Sequence, residues 1–437
     1  MSSVIRIPEF EPVIKTKYRS IVTDISVSES LWVFEKLSKY EARAMHGQLP
    51  VVWDHALDFS VYDKYGNRWI DFTSGIFVAN TGHSNPHIIK ALRDQISRGL
   101  LYSYTFATEA RARFLEKLIR ITPPQFEKAF LMSSGTEATE CAIKLARMRG
   151  MKINPDKNVI ISFQGAMHGR TMGAEMLKGD PEGSKWIGYK DPNMYHLRIP
   201  YPWEEDQRHI LFEKDLTNLE SRLAAVIIES YTGWCAYFYP VEYIQKLCQY
   251  AKEDDALIIF DEIQSGFGRT GKLFAYEHYG VEPDMLCLGK GLSGSLPLSA
   301  VIGSKEVMDI PNTGSMSSTF SANPMSCVAG LANLEYLEKF NLVQESSRKG
   351  RMLSVRLNEM QIRFPDKIEY VFGIGLVAGI VFNNVEVADL VCNSAMKQGL
   401  LLVHTGRESV KIGPPLTIVD EALLEGLDVL EEVIGEL

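Results

Sequence analysis

Short apolar runs alternate with helix-like segments between about residues 107 and 310. The runs are continuous, without polar alternation, which is typical of strands buried on both faces of a parallel sheet. Strands that alternate with helices predict an α/β fold with helices on both faces of a mostly parallel sheet. Ligands of such sheets bind at the carboxyl ends of the strands. The predicted strands are Ala129–Met132, Val159–Phe163, Ala224–Glu229, Leu257–Asp261, Met285–Leu288 and Ala300–Ile302.

The pattern changes on both sides of this region. After about residue 325, two long helical segments, glycine-punctuated strands over Ile368–Phe382 and a C-terminal amphipathic helix predict a smaller α+β unit. Near the N-terminus, two strand-like runs around the turn Lys64–Asn67 predict a hairpin that joins this unit. We therefore expect an N-terminal arm with part of the small domain (1–70), a large domain (71–324) and a C-terminal small domain (325–437).

Composition and charge narrow the class of protein. The 437 residues carry a net charge of -9 without a long basic run, which argues against nucleic acid or an anionic membrane as partner. The six cysteines are scattered without a C-x-x-C pair, and no metal site is indicated. The N-terminus lacks the apolar core of a signal peptide, and no stretch approaches the roughly 18 apolar residues that span a bilayer. We expect a cytoplasmic protein with reduced, buried thiols.

Two successive predicted strands each have a polar residue at or just after their carboxyl end, where ligands of such sheets bind. Asp261 ends the run Leu257–Asp261, and Lys290 comes two residues after Leu288, between two glycines. A lysine in a glycine-flanked loop is usually a solvated charge. At a strand end beside a carboxylate, it also suits a Schiff base with an aldehyde cofactor. The acid would then keep a pyridine nitrogen of that cofactor protonated by charge pairing.

Ser133–Glu137 is the best candidate for a phosphate site. It directly follows the strand Ala129–Met132 and opens a helix with an apolar face. A helix N-terminus offers unpaired N–H groups and the positive end of the helix dipole, and the hydroxyls of Ser134 and Thr136 add donors. A plain N-cap explains the same residues equally well. Lysine, acid and helix start together are far less expected by chance than any one of them.

Gly266–Lys272 resembles a phosphate-binding P-loop, but two features exclude an ATPase. Leu273 stands where such a loop needs a hydroxyl for the metal, and Asp261 precedes the loop within the same segment. Gly373 and Gly375 lack the third glycine of a dinucleotide-binding fingerprint.

The order and spacing of motifs from about Phe72 to Leu416 resemble the class III (ω-type, subgroup II) aminotransferases. The resemblance implies a pyridoxal 5′-phosphate (PLP) enzyme of fold type I, with a large PLP-binding domain around a mostly parallel, helix-covered sheet and a smaller α+β domain. The matching segments are Asp71–Ile76, Thr81–His83, Ser134–Ala138, His168–Thr171, Ile228–Glu229, Phe260–Gly271, Gly289–Gly291, Thr319–Pro324 and Pro414–Leu416.

The resemblance also implies roles at the cofactor ring. Lys290 would form the Schiff base and shuttle a proton between the substrate Cα and the cofactor, and Asp261 would pair with the pyridinium nitrogen. Gln264 would lie near the phenolic oxygen, Ile263 would pack under the ring, and Glu229 would support the ring pocket.

The cofactor phosphate would be held from two sides. Ser134, Gly135 and Thr136 would bind it from their own chain, and Thr319 would reach it from the other subunit. The resemblance therefore implies a homodimer with shared active sites.

Three positions depart from the family pattern, and all concern the substrate. Met167 stands where an aromatic residue usually stacks on the ring, so His168 could share that role. Trp234 replaces a glutamate that holds a substrate-binding arginine in many members. Lys411 replaces that arginine, and lysine does not reproduce the bidentate fork of a guanidinium on a carboxylate.

The glutamate–arginine pair with which many members accept 2-oxoglutarate is therefore not present at these two positions. Arg170 and Arg407 are alternative carboxylate-binding groups, and Trp234 could stack on an apolar or sugar-like substrate face or simply fill the core. We take Ile76, Arg170, Trp234, Arg407 and Lys411 as the candidate substrate residues.

These observations predict a PLP-dependent aminotransferase with a ping-pong mechanism, which moves an amino group from an amine donor to an oxo acceptor. The expected substrate is not a plain α-amino acid. The alternative is a PLP-dependent racemase, epimerase or aminomutase on the same scaffold, since the site of reprotonation by Lys290 separates the two reactions. A PLP-binding protein without turnover is a third reading, disfavoured by the presence of both Lys290 and Asp261.

Overall fold

The computed structural model of the chain describes residues 14–25, 28–204, 216, 219 and 221–437. Residues 1–13, which belong to the predicted N-terminal arm, lie outside this part. The strands are β1 (Ile14–Lys15), β2 (Ser20–Ile21), β3 (His55–Leu57), β4 (Ser60–Tyr62), β5 (Arg68–Asp71), β6 (Lys128–Met132), β7 (Val159–Phe163), β8 (Met194–Leu197), β9 (Leu223–Glu229), β10 (Leu257–Asp261), β11 (Met285–Leu288), β12 (Ser299–Gly303), β13 (Ile368–Gly373), β14 (Ala378–Phe382), β15 (Leu400–Leu401), β16 (Val403–His404) and β17 (Ser409–Ile412).

Helices connect most of these strands. In the described ranges, no helix is both long enough and apolar enough to cross a bilayer. The helices are α1 (Ser28–Tyr40), α2 (Ser74–Phe77), α3 (Pro86–Ser97), α4 (Glu109–Arg120), α5 (Gly135–Ile153), α6 (Met172–Met176), α7 (Val241–Glu253), α8 (Lys305–Met308), α9 (Pro324–Lys339), α10 (Leu342–Arg363), α11 (Val385–Lys397) and α12 (Asp420–Glu436).

The central element is a seven-stranded sheet of order β6-β12-β11-β10-β9-β7-β8. Only β12 runs against its neighbours, so the prediction of a mostly parallel sheet is confirmed. All six predicted strands are present. The seventh strand, β8, was not predicted because its half-buried Tyr195 and His196 interrupt the apolar run at the edge of the sheet.

Both faces of this sheet are buried, which explains the continuous apolar runs. Successive strand residues point to opposite faces. Ile227 and Ile259 pack with α5 residues such as Leu145 on one face, whereas Ile228 and Phe260 join the larger cluster on the other face. The same burial on both faces fixes the register of each strand, because a one-residue slip would turn every side chain to the wrong face.

Two smaller sheets flank the central one. β13, β14, β17 and β16 form an antiparallel sheet, and β1 to β5 form a second sheet that β15 joins by parallel pairing with β5, Leu400 opposite Ile70. The predicted hairpin is confirmed, with Tyr62 of β4 opposite Arg68 of β5. The pairing of β5 with β15 supports the grouping of residues before 71 with the C-terminal unit. The domain boundaries themselves stay predictions.

The antiparallel sheet presses closely on the segment that follows β9. A Cβ added at Gly379 in β14 would clash with the backbone of Cys235. Gly379→Ala is therefore expected to lower the free energy of unfolding by about 1–3 kcal/mol, because overpacking forces the backbone to shift. The exposed Gly47, with open space around its Cα, provides the control: Gly47→Ala should stay within about 0.5 kcal/mol of the wild type. Urea unfolding of both variants measures the difference, and equal stabilities would contradict the expected close contact.

Candidate active site

A cavity of about 420 Å³ opens at the carboxyl ends of the central strands. Glu229 ends β9 and Asp261 ends β10, and these two residues are direct register partners. Lys290 follows β11 by two residues and lines the same cavity. The sheet therefore brings the predicted acid and lysine together.

Nine of the eleven predicted cofactor residues line this cavity. Ser134 and Thr319 do not belong to the lining. Ser134 is instead the N-cap residue of α5, and its backbone N–H and its Oγ both donate to Glu137 Oε2, at 2.7 and 3.1 Å. The neighbouring Ser133 takes part in the lining. The nine are Gly135, Thr136, Met167, His168, Glu229, Asp261, Ile263, Gln264 and Lys290.

Lys290 is held in a strained backbone conformation. Its φ of 43° lies in the left-handed region, which costs a residue other than glycine roughly 1 kcal/mol. A side chain at Gly291 would clash with the amide of Asn80, so the loop passes close to the segment that follows α2. Burial lowers the pKa of Lys290, and the charges of Asp261 and Glu229 oppose that shift. A lowered pKa favours the neutral amine, which is the nucleophilic form.

Asp261 is buried and hydrogen-bonded on both oxygens. Its Oδ2 lies 2.8 Å from His168 Nδ1, and its Oδ1 accepts the N–H of Ile263 at 3.1 Å. Burial lowers the pKa of His168, but the hydrogen bond and charge of Asp261, helped by Glu229, raise this pKa above its usual value overall. The raised pKa favours the imidazolium form of His168, which pairs with the carboxylate of Asp261.

The start of α5 forms one wall of the cavity. The first N–H groups of a helix have no carbonyl partner within the helix. Thr136 turns its Oγ1 to Thr171 Oγ1 at 2.7 Å, which ties α5 to the segment before α6. A Cβ at Gly135 would lie 3.0 Å from two side-chain atoms of Ile263, so the backbone of the helix start and this side chain meet at contact distance.

The opposite rim contains Glu229 and Met167. The Met167 N–H donates to Glu229 Oε2 at 3.0 Å, and the Met167 side chain is 44% exposed. Burial raises the pKa of Glu229 to about 7, although His168 pulls this pKa down. Glu229 therefore takes up a proton at a higher pH than an exposed carboxylate does.

Lys411 does not line the cavity but contacts Gln264, which does. Its Nζ donates to Gln264 Oε1 at 3.0 Å and to the carbonyl oxygen of Gly233, and it lies 4.6 Å from the centre of the Phe77 ring. Only 4% of the residue is exposed. Burial, reinforced by the charge of Lys290, lowers the pKa of Lys411 to about 7.

The other four candidate substrate residues also lie outside the lining. Ile76 packs with Phe77, Tyr231 and Val403 in a small apolar cluster, and Arg170 is exposed. Trp234 and Arg407 form a stacked pair near the rim.

The segment that resembles a P-loop has a structural task instead. Arg269 is fully buried within it and donates to the carbonyl oxygens of Leu376 and Pro414, at 2.9 and 2.5 Å, and to Asn80 Oδ1 at 2.7 Å. Burial lowers the pKa of Arg269 to about 10. Its guanidinium joins three loops around the cavity, a role that the sequence reasoning missed.

Comparisons with known proteins decide the family. The family model described as aminotransferase class III matches residues 41–434. The chain belongs to the class III aminotransferases. Like the family, this aminotransferase uses PLP on a fold type I scaffold.

Relatives with assigned names agree over nearly the whole length. The enzyme is 33% identical to the 4-aminobutyrate aminotransferase of Mycobacterium leprae, over 96% of this chain and 98% of the relative. It is 36% identical to the ornithine aminotransferase of Saccharomyces cerevisiae, covering 92% and 96%. The crystal structure of ornithine aminotransferase from Toxoplasma gondii superposes with a TM-score of 0.85 at 26% identity, covering 94% and 96%.

The residues of the cavity fit the cofactor of this aminotransferase. Lys290 supplies the required amine. Asp261 retains acceptor capacity beside its two donors, because a carboxylate offers about four lone-pair sites. The start of α5 at Gly135 suits a phosphate, and the cavity has the size of a small-molecule site.

The lowered pKa of the buried Lys411 predicts that the free energy of unfolding depends on pH. The usual lysine pKa is 10.5, so between about pH 7 and 10.5 the unfolded chain binds a proton at this position that the folded chain lacks. Stability rises with pH wherever the unfolded state binds more protons. The free energy of unfolding of the cofactor-free wild type, relative to Lys411→Met, should therefore increase from pH 7 to pH 9.5, by at most about 1.4 kcal/mol per pH unit. Urea unfolding at four pH values checks this, and a difference that is independent of pH contradicts it.

Proposed function

We propose that this enzyme transfers the amino group of a primary amine that is remote from any α-carboxylate, by a ping-pong reaction at Lys290. The meeting of Lys290 and Asp261 at adjacent strand ends carries the proposal. Bound PLP supplies an aldehyde that condenses with amines and a ring that takes up the electrons of a broken Cα bond. The side chains of the chain itself do the rest.

Each side chain has a separate task in this proposal. Lys290 holds the cofactor at rest and, as a free amine, carries the proton away from and back to the substrate. Asp261, hydrogen-bonded to His168, would pair with the pyridine nitrogen and favour its protonated form. Gln264, held by Lys411, would contact the phenolic oxygen, and Ile263 would pack under the ring.

The phosphate would bind at the start of α5. Gly135 and Thr136 provide N–H groups, and Ser133 and Ser134 flank them. The dipole of a 19-residue helix favours a dianion at this end. Glu229 and Met167 border the side that the substrate enters.

Two observations support a substrate other than a plain α-amino acid. One matched relative is named for 4-aminobutyrate, whose amine lies at the opposite end of the molecule from its carboxylate. In addition, Lys411 is committed to Gln264 and Gly233 and does not face the cavity as a carboxylate-binding cation. A screen of the purified holoenzyme with ω-amino acids, diamines and amino sugars as donors, and 2-oxoglutarate and pyruvate as acceptors, tests the proposal.

The isomerase alternative gives a different result in a single-substrate experiment. When the amine is added alone, an aminotransferase converts its bound cofactor stoichiometrically to the pyridoxamine form. A racemase or aminomutase would leave the cofactor absorbance at its starting state and exchange the Cα hydrogen with solvent. The family match and the named relatives favour the first result.

Lys290→Ala should reduce turnover by at least about a thousandfold, because it removes both the amine that anchors the cofactor and the proton carrier. Lys272→Ala is the matched control. Lys272 is the exposed lysine of the segment that resembles a P-loop, and its loss should leave turnover unchanged. Steady-state assays with the best donor compare the two, and retained turnover of Lys290→Ala would refute the assignment.

We also propose a homodimer in which Thr319 contacts the phosphate bound by the partner. Thr319 is exposed and lies outside the cavity of its own chain. It adjoins an apolar surface formed by residues 100–106 and Phe320, where the rings of Tyr102 and Phe320 are 5.6 Å apart. Exposed apolar surface of this kind typically marks a protein interface.

The six free, buried cysteines support the predicted cytoplasmic setting.

Mixing two inactive variants tests the shared site. Lys290→Ala lacks the catalytic amine, and Thr319→Asp repels the phosphate. If Thr319 serves the partner's site, half of the randomly assembled dimers are heterodimers with one intact site, so about a quarter of the wild-type activity should return. If Thr319 served its own chain, each heterodimer site would carry one lesion and no activity would return. Sedimentation of the wild type establishes the dimer independently.

A further inference from the structure

The turn between β16 and β17 carries a guanidinium that stacks on a tryptophan. The Arg407 guanidinium lies 3.7 Å from the centre of the Trp234 ring. The tryptophan is itself fixed, because its indole N–H donates to the Tyr201 hydroxyl at 2.6 Å and its backbone carbonyl oxygen accepts from Ser409 Oγ at 2.9 Å. Stacking uses the face of the guanidinium and leaves its N–H edges available.

This pair stands at the rim of the active site. Gly233, the residue before Trp234, packs against two residues of the cavity lining: an added Cβ would lie 2.7 Å from Glu229 Oε1 and 3.7 Å from Met167 Cβ. The side chain of Arg407 is 47% exposed, so solvent and ligands reach it.

Among the ion pairs of the described residues, the one that involves Arg407 would compete only weakly with an anionic ligand for its guanidinium. Its acidic neighbour is Glu408, at 3.2 Å, in an exposed pair between adjacent residues. Such pairs are screened by solvent and contribute little. Lys411, in contrast, is buried and already donates to two oxygens. Of the two cations, Arg407 is the one that can accept a carboxylate without first breaking a buried contact.

We infer that Arg407, oriented by Trp234, binds a carboxylate of the substrate at the end remote from the reacting carbon. The planar fork of a guanidinium matches a carboxylate with two parallel hydrogen bonds, and the stacked ring holds the fork in one plane. Trp234 and Arg407 together then replace a buried arginine, and Lys411 serves to position Gln264. This inference rests on the proposed function, since it assigns a carboxylate-bearing substrate to the same site.

Equilibrium binding of glutarate, a dicarboxylate that lacks both amino and oxo groups, tests the inference without turnover. Isothermal titration of the holoenzyme should show glutarate binding that Arg407→Met weakens by about tenfold or more, while Arg407→Lys retains part of the affinity because it keeps the charge without the fork. Arg198→Met, which removes an exposed guanidinium outside the cavity lining, is the control and should bind like the wild type.

Two further variants sharpen the result. Trp234→Leu should weaken glutarate less than Arg407→Met does, since it removes the orientation and not the charge. Lys411→Met should also weaken glutarate less than Arg407→Met does, since the Lys411 ammonium already donates to Gln264 and Gly233. Unchanged binding in Arg407→Met, a larger loss in Lys411→Met, or no glutarate binding by the wild type would each overturn the inference.

The failure of this inference is separable from failure of the proposed function. In Arg407→Met, the half-reaction with a primary amine that has no carboxylate should slow far less than the half-reaction with an ω-amino acid. If the half-reaction with the amine that has no carboxylate persists and Arg407→Met binds glutarate like the wild type, only the assignment of Arg407 as the carboxylate-binding group is wrong. If the wild type shows glutarate binding but no half-reaction with any amine, the proposed function falls instead.

Discussion

The register of three parallel strands determines the active site. β9, β10 and β11 are paired so that Asp261 lies opposite Glu229 on one side and Cys287 on the other. This alignment brings two carboxyl groups to one edge of the sheet and places Lys290 three residues beyond Cys287. A slip of one residue would turn each acid to the opposite face, so the site depends on the apolar packing that fixes the register.

Burying two acids beside a lysine requires compensation, and the surrounding groups provide it. His168 pairs with Asp261, and the Met167 N–H donates to Glu229, whose pKa burial raises to about 7. Behind the site, Glu262 is buried and accepts hydrogen bonds from two serines, Ser230 and Ser265, and from two backbone N–H groups. The site is therefore held by polar groups that are themselves bonded, which limits its freedom before any ligand arrives.

The sequence predicts the central sheet well because its strands are buried on both faces. Continuous apolar runs identify such strands, whereas the edge strand β8 contains half-buried polar residues and gives no such signal. The helix Val385–Lys397 was also not predicted. The residues that act at strand ends, Asp261 and Lys290, could be predicted because parallel strands deliver their carboxyl ends to one edge.

Other features could not be read from the sequence because they depend on contacts between distant segments. Arg269 resembles part of a phosphate loop locally, yet it binds the carbonyl oxygens of Leu376 and Pro414, over a hundred residues away. Likewise, Lys411 reaches Gln264, and Arg407 stacks on Trp234. Departures from the family pattern indicate where the substrate-binding residues differ. Only the tertiary contacts show that Arg407, and not Lys411, remains accessible.

The most direct measurement is to locate the lysine that binds the cofactor. Borohydride reduces a Schiff base to a stable secondary amine, so reduction of the holoenzyme followed by peptide mass spectrometry identifies the attached residue. Lys411 is a demanding internal comparison, because it is a second buried lysine of lowered pKa within electrostatic reach of Lys290. We predict the added mass on the peptide that contains Lys290 alone. Label on Lys411, or a holoenzyme with no covalent label, would contradict the assignment on which the rest depends.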